Sequence, residues 1–171
     1  FDTPEKIEAF LQDNEPADPF SLPDMEQAVE RVSRAVDSFE KIAIYGDYDA
    51  DGVTATAMLY SYLEARGADV TYYIPLRESE GYGLQKSAID VIAGQGVTLL
   101  ITVDNGISSW EEVEYAKSQG IDTVVTDHHE PSERLPDAVA VVDPHRKDST
   151  GNGRELCGAG VAFMLILALE G

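Results

Sequence analysis

The sequence predicts an α/β fold: a three-layer α/β/α domain around a mostly parallel five-stranded sheet. Three observations lead there. From Lys41 onward, short β-branched and aliphatic runs alternate with segments of helical period, the pattern of βαβ units. The strand-like runs are apolar almost throughout, as strands covered by helices on both faces are. Each polar cluster falls just past the carboxyl end of a strand, the edge where open α/β sheets bind ligands.

The elements follow in order. Residues 1–24 are acidic and proline-bearing (EPADPFSLPD), an arm with a short helix expected at 4–12. Residues 25–39 place Met25, Val29, Val32 and Val36 at spacings of four and three, an amphipathic helix. KIAIY is the first strand, followed by the helix VTATAMLYSYLEARG, which Gly67 stops. DVTYYIP is a strand and LQKSAIDVIAGQG a helix; TLLITV is a strand and SWEEVEYAKSQG a helix stopped by Gly120. DTVVT and AVAVV are the last strands, and CGAGVAFMLILALEG closes the chain as a helix.

Composition narrows the function classes. A chain of 171 residues is enough for one domain with a full core, and 43% hydrophobic content is ordinary for a globular protein. No stretch is apolar for long enough to span a bilayer, and FDTPEKIEAF is too acidic for a secretory signal. The single cysteine, Cys157, excludes an internal disulfide framework. These features lead to a cytoplasmic protein as the expectation. The net charge of −20, from 32 acids against 12 bases, argues by itself against a nucleic-acid binder, whose footprint is basic. Two considerations soften that. Bound divalent cations cancel charge where it is densest. The chain also starts on Phe1 and stops at Gly171, directly after an apolar helix, so a piece of a longer protein is expected.

The densest charge is GDYDADG, residues 46–52. Asp47, Asp49, Asp51 and Gly52 match positions 1, 3, 5 and 6 of an EF-hand loop. The match then stops, because position 12 is Met58 rather than glutamate and a strand, not a helix, precedes the loop. The remaining clusters are LRESEGYG, DNGIS, DHHE and DPHR. Together they bring Asp49, Asp51, Asp104, Asp127, His128 and His129 to one edge. Carboxylates that close stay ionised only with a counter-charge, and a divalent metal supplies it. Oxygen donors with added imidazole suit Mn²⁺, and Mg²⁺ less well. Two ions about 3.5–4 Å apart clamp the attacking and leaving oxygens of an in-line displacement at phosphorus.

Plainer readings stand beside this one. Asp51 can cap a helix starting near Val53, and Asp104 can cap its own turn. His128 and His129, adjacent at a strand end, are expected to point in different directions, one to metal and one to substrate. His145 is a surface histidine or a substrate contact. Gly81, Tyr82 and Gly83 form a turn or a close backbone approach to a ligand. Arg77 contacts a phosphate or is a solvated charge. Cys157 is a small packing residue. Gly158, Ala159 and Gly160 open an apolar helix and can offer N–H groups to an anion.

These residues together resemble the DHH phosphoesterase superfamily and, within it, the RecJ branch of exonucleases on single-stranded DNA. GDYDADGVTATA, IPLRESEGYGL, TVDNGIS, VVTDHHEP and LCGAGVAF resemble its motifs, in order and at family-like spacing. The likeness runs from about Asp18 to Leu169 and makes 25–171 the DHH domain, after an arm at 1–24. It implies two Mn²⁺ ions, with Mg²⁺ as a substitute. Asp49 and Asp51 would each hold one, Asp104 would bridge them, and His128 would be a further ligand. His129 would face the scissile phosphate, Asp127 would hold the histidines, and Asp47 would support the site. Arg77, Gly81, Tyr82, Gly83, His145 and the helix start at 158–160 would seat the strand. The implied activity is 5′→3′ digestion to 5′-mononucleotides in DNA repair and recombination, with single-strand-binding protein and a helicase as companions. Small-substrate branches carry histidine where this chain has Tyr45. A further metal-binding aspartate, a second domain and an OB-type domain of the family lie past the GAGVAF helix. Two alternatives remain: a phosphodiesterase on short oligonucleotides or cyclic dinucleotides, and an inactive DHH scaffold at a replication fork.

Overall fold

The computed structural model describes residue 3 and residues 18–77, 81, 83–150 and 153–171. The helix expected at 4–12 and Tyr82 lie outside the described residues. The elements are α1 (Met25–Asp37), β1 (Lys41–Gly46), α2 (Ala50–Ala65), β2 (Asp69–Tyr73), α3 (Lys86–Gly94), β3 (Leu99–Val103), α4 (Trp110–Ser118), β4 (Asp122–Thr126), β5 (Ala140–Val142) and α5 (Gly158–Glu170). Gly67 and Gly120 follow α2 and α4 at φ 78° and 79°, the left-handed stops their placement predicted.

The five strands form one sheet in the order β2-β1-β3-β4-β5, and every pairing is parallel. Side chains alternate between its faces. Ile42, Ile44, Ile101 and Val124 pack under α1, α2 and α5, while Ala43, Tyr45, Leu100 and Val125 pack under α3 and α4. This is the three-layer arrangement. One expectation fails at β2, which is not buried on both faces: Asp69 and Tyr72 are exposed because the strand lies at the sheet edge.

The α1 stripe also differs from the valine pattern. Met25, Ala28, Val32 and Ala35 are buried, with Val29 and Val36 half-buried beside them. The two alanines let the helix approach closely, which turns it slightly from the face its valines mark. Arg31, 4% exposed, points into this layer and reaches Asp122 and Glu40 at 2.7 Å each. That buried pairing ties α1 to the amino ends of the strands, far from the polar clusters. Among the described residues no helix is long and apolar enough to cross a membrane.

The strand order reverses between β1 and β3. In doubly wound sheets ligands bind at that point, outside the carboxyl ends of the strands.

Candidate metal centre

Strand register builds the site. Gly46, Val103, Thr126 and Val142 stand in one row across β1, β3, β4 and β5. The next residue of each strand is an aspartate: Asp47, Asp104, Asp127 and Asp143. Four carboxylates leave the sheet at one level, and all are buried, at most 5% exposed. Burial first, then Asp51, Asp49 and Asp127, push the Asp104 carboxyl up to about 7. Asp143 is likewise pushed up to about 7, mainly by burial. Asp47 is raised by burial as well.

The GDYDADG loop wraps the β1 end. Asp49 caps α2, its Oδ1 accepting the amides of Asp51 at 2.8 Å and Gly52 at 3.0 Å. The helix thus starts at Ala50 with Asp49 as its cap, rather than near Val53 with Asp51. Gly52 permits the tight return: a Cβ there would stand 2.6 Å from the Asp47 backbone N and O. Asp51 turns toward α5 and accepts the amides of Gly158 at 2.7 Å and Ala159 at 2.8 Å. Burial raises its carboxyl, but these amides, the Cys157 thiol and His128 hold it below the usual range.

This corrects the expected role of the α5 start. Gly158 and Ala159 aim their N–H groups at an anion, but that anion is the chain's own Asp51. The Gly160 amide lies 3.4 Å from Cys157 Sγ. Cys157 is therefore no packing residue; it is exposed and caps α5.

Asp104 has φ 61°, a left-handed conformation that aspartate tolerates better than most residues. Its Oδ1 is fully buried without a hydrogen-bond partner, although His128 Nε2 lies 3.1 Å away. Asp127 has every oxygen engaged. Its Oδ2 accepts the Ile107 amide at 2.9 Å, and its Oδ1 accepts the His128 and His129 amides. His129 Nδ1 is 2.7 Å from the same Oδ1, and this bond above all raises the imidazole to about 9.

The two histidines do not diverge. Their ring centroids are 4.6 Å apart, and both offer a nitrogen to the neighbourhood of Asp104. β4 ends at Thr126, so the alternation of a strand no longer applies to residues 128 and 129. Two donor groups result, each with ligand atoms within 4.8 Å of one another: Asp104, His128 and His129; and Asp47, Asp49 and Asp104. Asp104 belongs to both. A residue shared by two donor sets, with a buried carboxylate oxygen that lacks a hydrogen-bond partner, fits divalent cations. Asp51 stands beside these groups, its Oδ2 3.7 Å from His128 Nε2.

The other expected contacts lie around this edge. The exposed Arg77 guanidinium sits 5.5 Å from the Tyr48 ring centroid. Gly81 and Gly83 have φ of 80° and 81° with open space around them, so conformation, not close approach, requires glycine there. Tyr45 is fully buried, stacks on Tyr73, and donates its hydroxyl to the Gly83 carbonyl at 2.9 Å. His145 pairs with exposed Glu130 at 3.0 Å. Two buried residues were missed from sequence. Asn105 links the ends of β1 and β3 through Tyr45 and Val103 carbonyls. Asp143 was visible in DPHR, but its level with the other aspartates depends on register.

A sequence profile described as the DHH family, N-terminal domain, matches residues 41–170. The chain belongs to the DHH family. Over 100% of its length the chain is 46% identical to the single-stranded-DNA-specific exonuclease RecJ of Bacillus subtilis (strain 168), of which it covers 22%. The RecJ of Escherichia coli (strain K12) is 42% identical over 87% of the chain and 26% of its own length. The chain thus spans about a quarter of the length of these relatives. Among solved structures, an exonuclease RecJ bound to manganese superposes with a TM-score of 0.80 at 36% identity, over 87% of this chain and 38% of that one. RecJ of Thermus thermophilus in complex with Mn²⁺ gives 0.74 at 33% identity, over 87% and 21%.

Proposed function

We propose that residues 25–171 are the catalytic DHH domain of a metal-dependent exonuclease that digests single-stranded DNA from its 5′ end, with residues 1–24 as an arm. The observation that carries this reading is Asp104, a residue common to both donor groups whose Oδ1 is buried without a hydrogen-bond partner. Asp49 and Asp47 would hold one ion, His128 and Asp51 a second, and Asp104 both. Oxygen with imidazole favours Mn²⁺, the ion in the two solved relatives. When bound, such ions neutralise the carboxylate row and stabilise charge at phosphorus.

The chain's own groups supply the rest. Asp127 holds His129 by Nδ1, so the proton for transfer sits on Nε2. Water forms the new P–O bond and yields a proton to the Asp47 edge. The P–O3′ bond breaks, and His129 Nε2 protonates the departing 3′ oxygen. Arg77, stacked on Tyr48, would contact a strand phosphate. The likeness to relatives named for single-stranded DNA supports the substrate and, with it, a role in repair and recombination.

The test incubates the protein with Mn²⁺ and an end-labelled single strand some tens of nucleotides long, beside a dinucleotide and a blunt duplex. Mononucleotides released from the 5′ end of the single strand are expected. Cleavage confined to the dinucleotide would overturn the substrate and favour the phosphodiesterase on short oligonucleotides.

A further inference from the structure

The turn that follows β3 buries a side chain that belongs to neither donor group. Asn105 is 1% exposed, and its Nδ2 donates to two backbone carbonyls, Val103 at 2.9 Å and Tyr45 at 3.3 Å. Val103 belongs to β3 and Tyr45 to β1. The β1–β3 register ends at Gly46 and Val103, so the amide adds one side-chain rung to the end of that ladder. The residues that leave the two strands there are Asp47 and Asp104. The Asn105 carbonyl in turn accepts the buried Thr102 hydroxyl at 2.8 Å. Gly106 leaves room for that bond, because a Cβ on it would strike Thr102 Oγ1. Two residues past Asn105, the Ile107 amide holds Asp127, which holds His129.

We infer that Asn105 is a positioning residue: it fixes Asp104 between the two donor groups and so sets the spacing of the ions. The inference rests on the two-ion reading above and deepens it. Asp104 stands at φ 61°, a conformation that a non-glycine residue keeps where its surroundings over-determine it. Asn105 does this from both sides of Asp104. Its side chain grips the carbonyl of the residue before, and its own carbonyl is gripped by Thr102. The same side chain ties in β1, which carries Asp47 of one donor group. The same turn, through Ile107, reaches Asp127 beneath the other. The residue type suits the role. A side-chain amide offers two donors on one nitrogen, whereas an ionised aspartate offers none and serine one. Asn105 Oδ1 is buried without a partner. That orphaned acceptor costs stability, and a turn serving the fold alone would avoid it with a smaller residue.

The test is electron paramagnetic resonance and calorimetric titration with Mn²⁺, comparing the parent with Asn105→Ala. Two Mn²⁺ ions held by one carboxylate are spin-coupled, and isolated ions are not. The parent should give the coupled signal. Asn105→Ala should give the signal of isolated ions and bind Mn²⁺ about 10–100-fold more weakly. Thr102→Val removes the hydroxyl, should weaken coupling in the same direction, and stands in should Asn105→Ala fail to fold. Val97→Ala is the control for lost stability: it trims a buried residue before the opposite end of β3 and should keep the coupled signal. A parent-like signal and affinity in the turn variant, or equal loss of coupling in Val97→Ala, would overturn the role of Asn105 and leave the two-ion reading standing. Isolated ions in the parent itself would overturn the two-ion reading and the role of Asn105 with it.

Discussion

Asp127 Oδ1 lies 2.7 Å from His129 Nδ1 and also accepts the amides of His128 at 2.8 Å and His129 at 3.2 Å. One buried oxygen therefore sets the position, tautomer and charge of His129. In the folded state the imidazole titrates near 9, against about 6.5 unfolded. The proton is held more tightly when folded, so its stabilisation is full below about 6.5 and is lost as pH rises through about 9. Asp127→Asn keeps an oxygen for the amides and removes the charge. NMR should show His129 titrating near its ordinary value, and kcat should fall by about 10²–10⁴-fold.

Asp104 is shifted in the same direction, but by burial of a charge rather than by a partner. Its carboxyl titrates near 7 when folded, against about 3.9 unfolded. The folded state keeps a proton that the unfolded state releases, so metal-free stability falls as pH rises from about 4 through 7. Scanning calorimetry of metal-free protein should show Tm dropping by several degrees across that window, with Mn²⁺ restoring it. Asp104→Asn should raise the metal-free Tm at pH 8 while abolishing Mn²⁺ binding at both donor groups and all hydrolysis.

Gly158 packs against that same carboxylate. A Cβ on it would strike Asp104 Oδ1, Cγ and Cβ, closer than real Cβ contacts come. Gly158→Ala should displace Asp104 and loosen the amide grip on Asp51. A stability loss of about 1–3 kcal/mol, read by urea denaturation, should accompany weakened Mn²⁺ affinity, read by calorimetric titration.

Asp143 is fully buried, its Oδ1 accepts the His145 amide at 2.7 Å, and its Oδ2 has no partner. Asp143→Asn keeps the bond to His145 and removes the buried charge. Its Tm should exceed that of the parent above pH 7 and match it near pH 4. The His129 titration should move down slightly, because Asp143 is among the charges that raise it.

Much of this was legible along the chain. Gly67 and Gly120 ended helices where their spacing put them, because left-handed φ at a helix stop is a local demand. The apolar runs marked the strands, and DHHE and GDYDADG marked their carboxyl ends, because burial and capping act over a few residues. Periodicity served less well for α1, where Ala28 and Ala35 are buried with Met25 and Val32 while Val29 and Val36 are only half-buried. It failed for His128 and His129, which lie past the end of β4.

The sequence alone determined which segments are strands and that carboxylates and imidazoles follow them. Only the tertiary structure decided how those groups meet. Parallel pairing set Gly46, Val103, Thr126 and Val142 in one row, which put Asp143 level with Asp47, Asp104 and Asp127. Packing of α5 beside α2 brought the amides of Gly158 and Ala159 to Asp51 across more than a hundred residues. Strand register and helix docking depend on hydrogen bonds and contacts between distant segments. No local pattern encodes them, because a one-residue slip leaves every strand's own composition unchanged while moving its side chains to the opposite face.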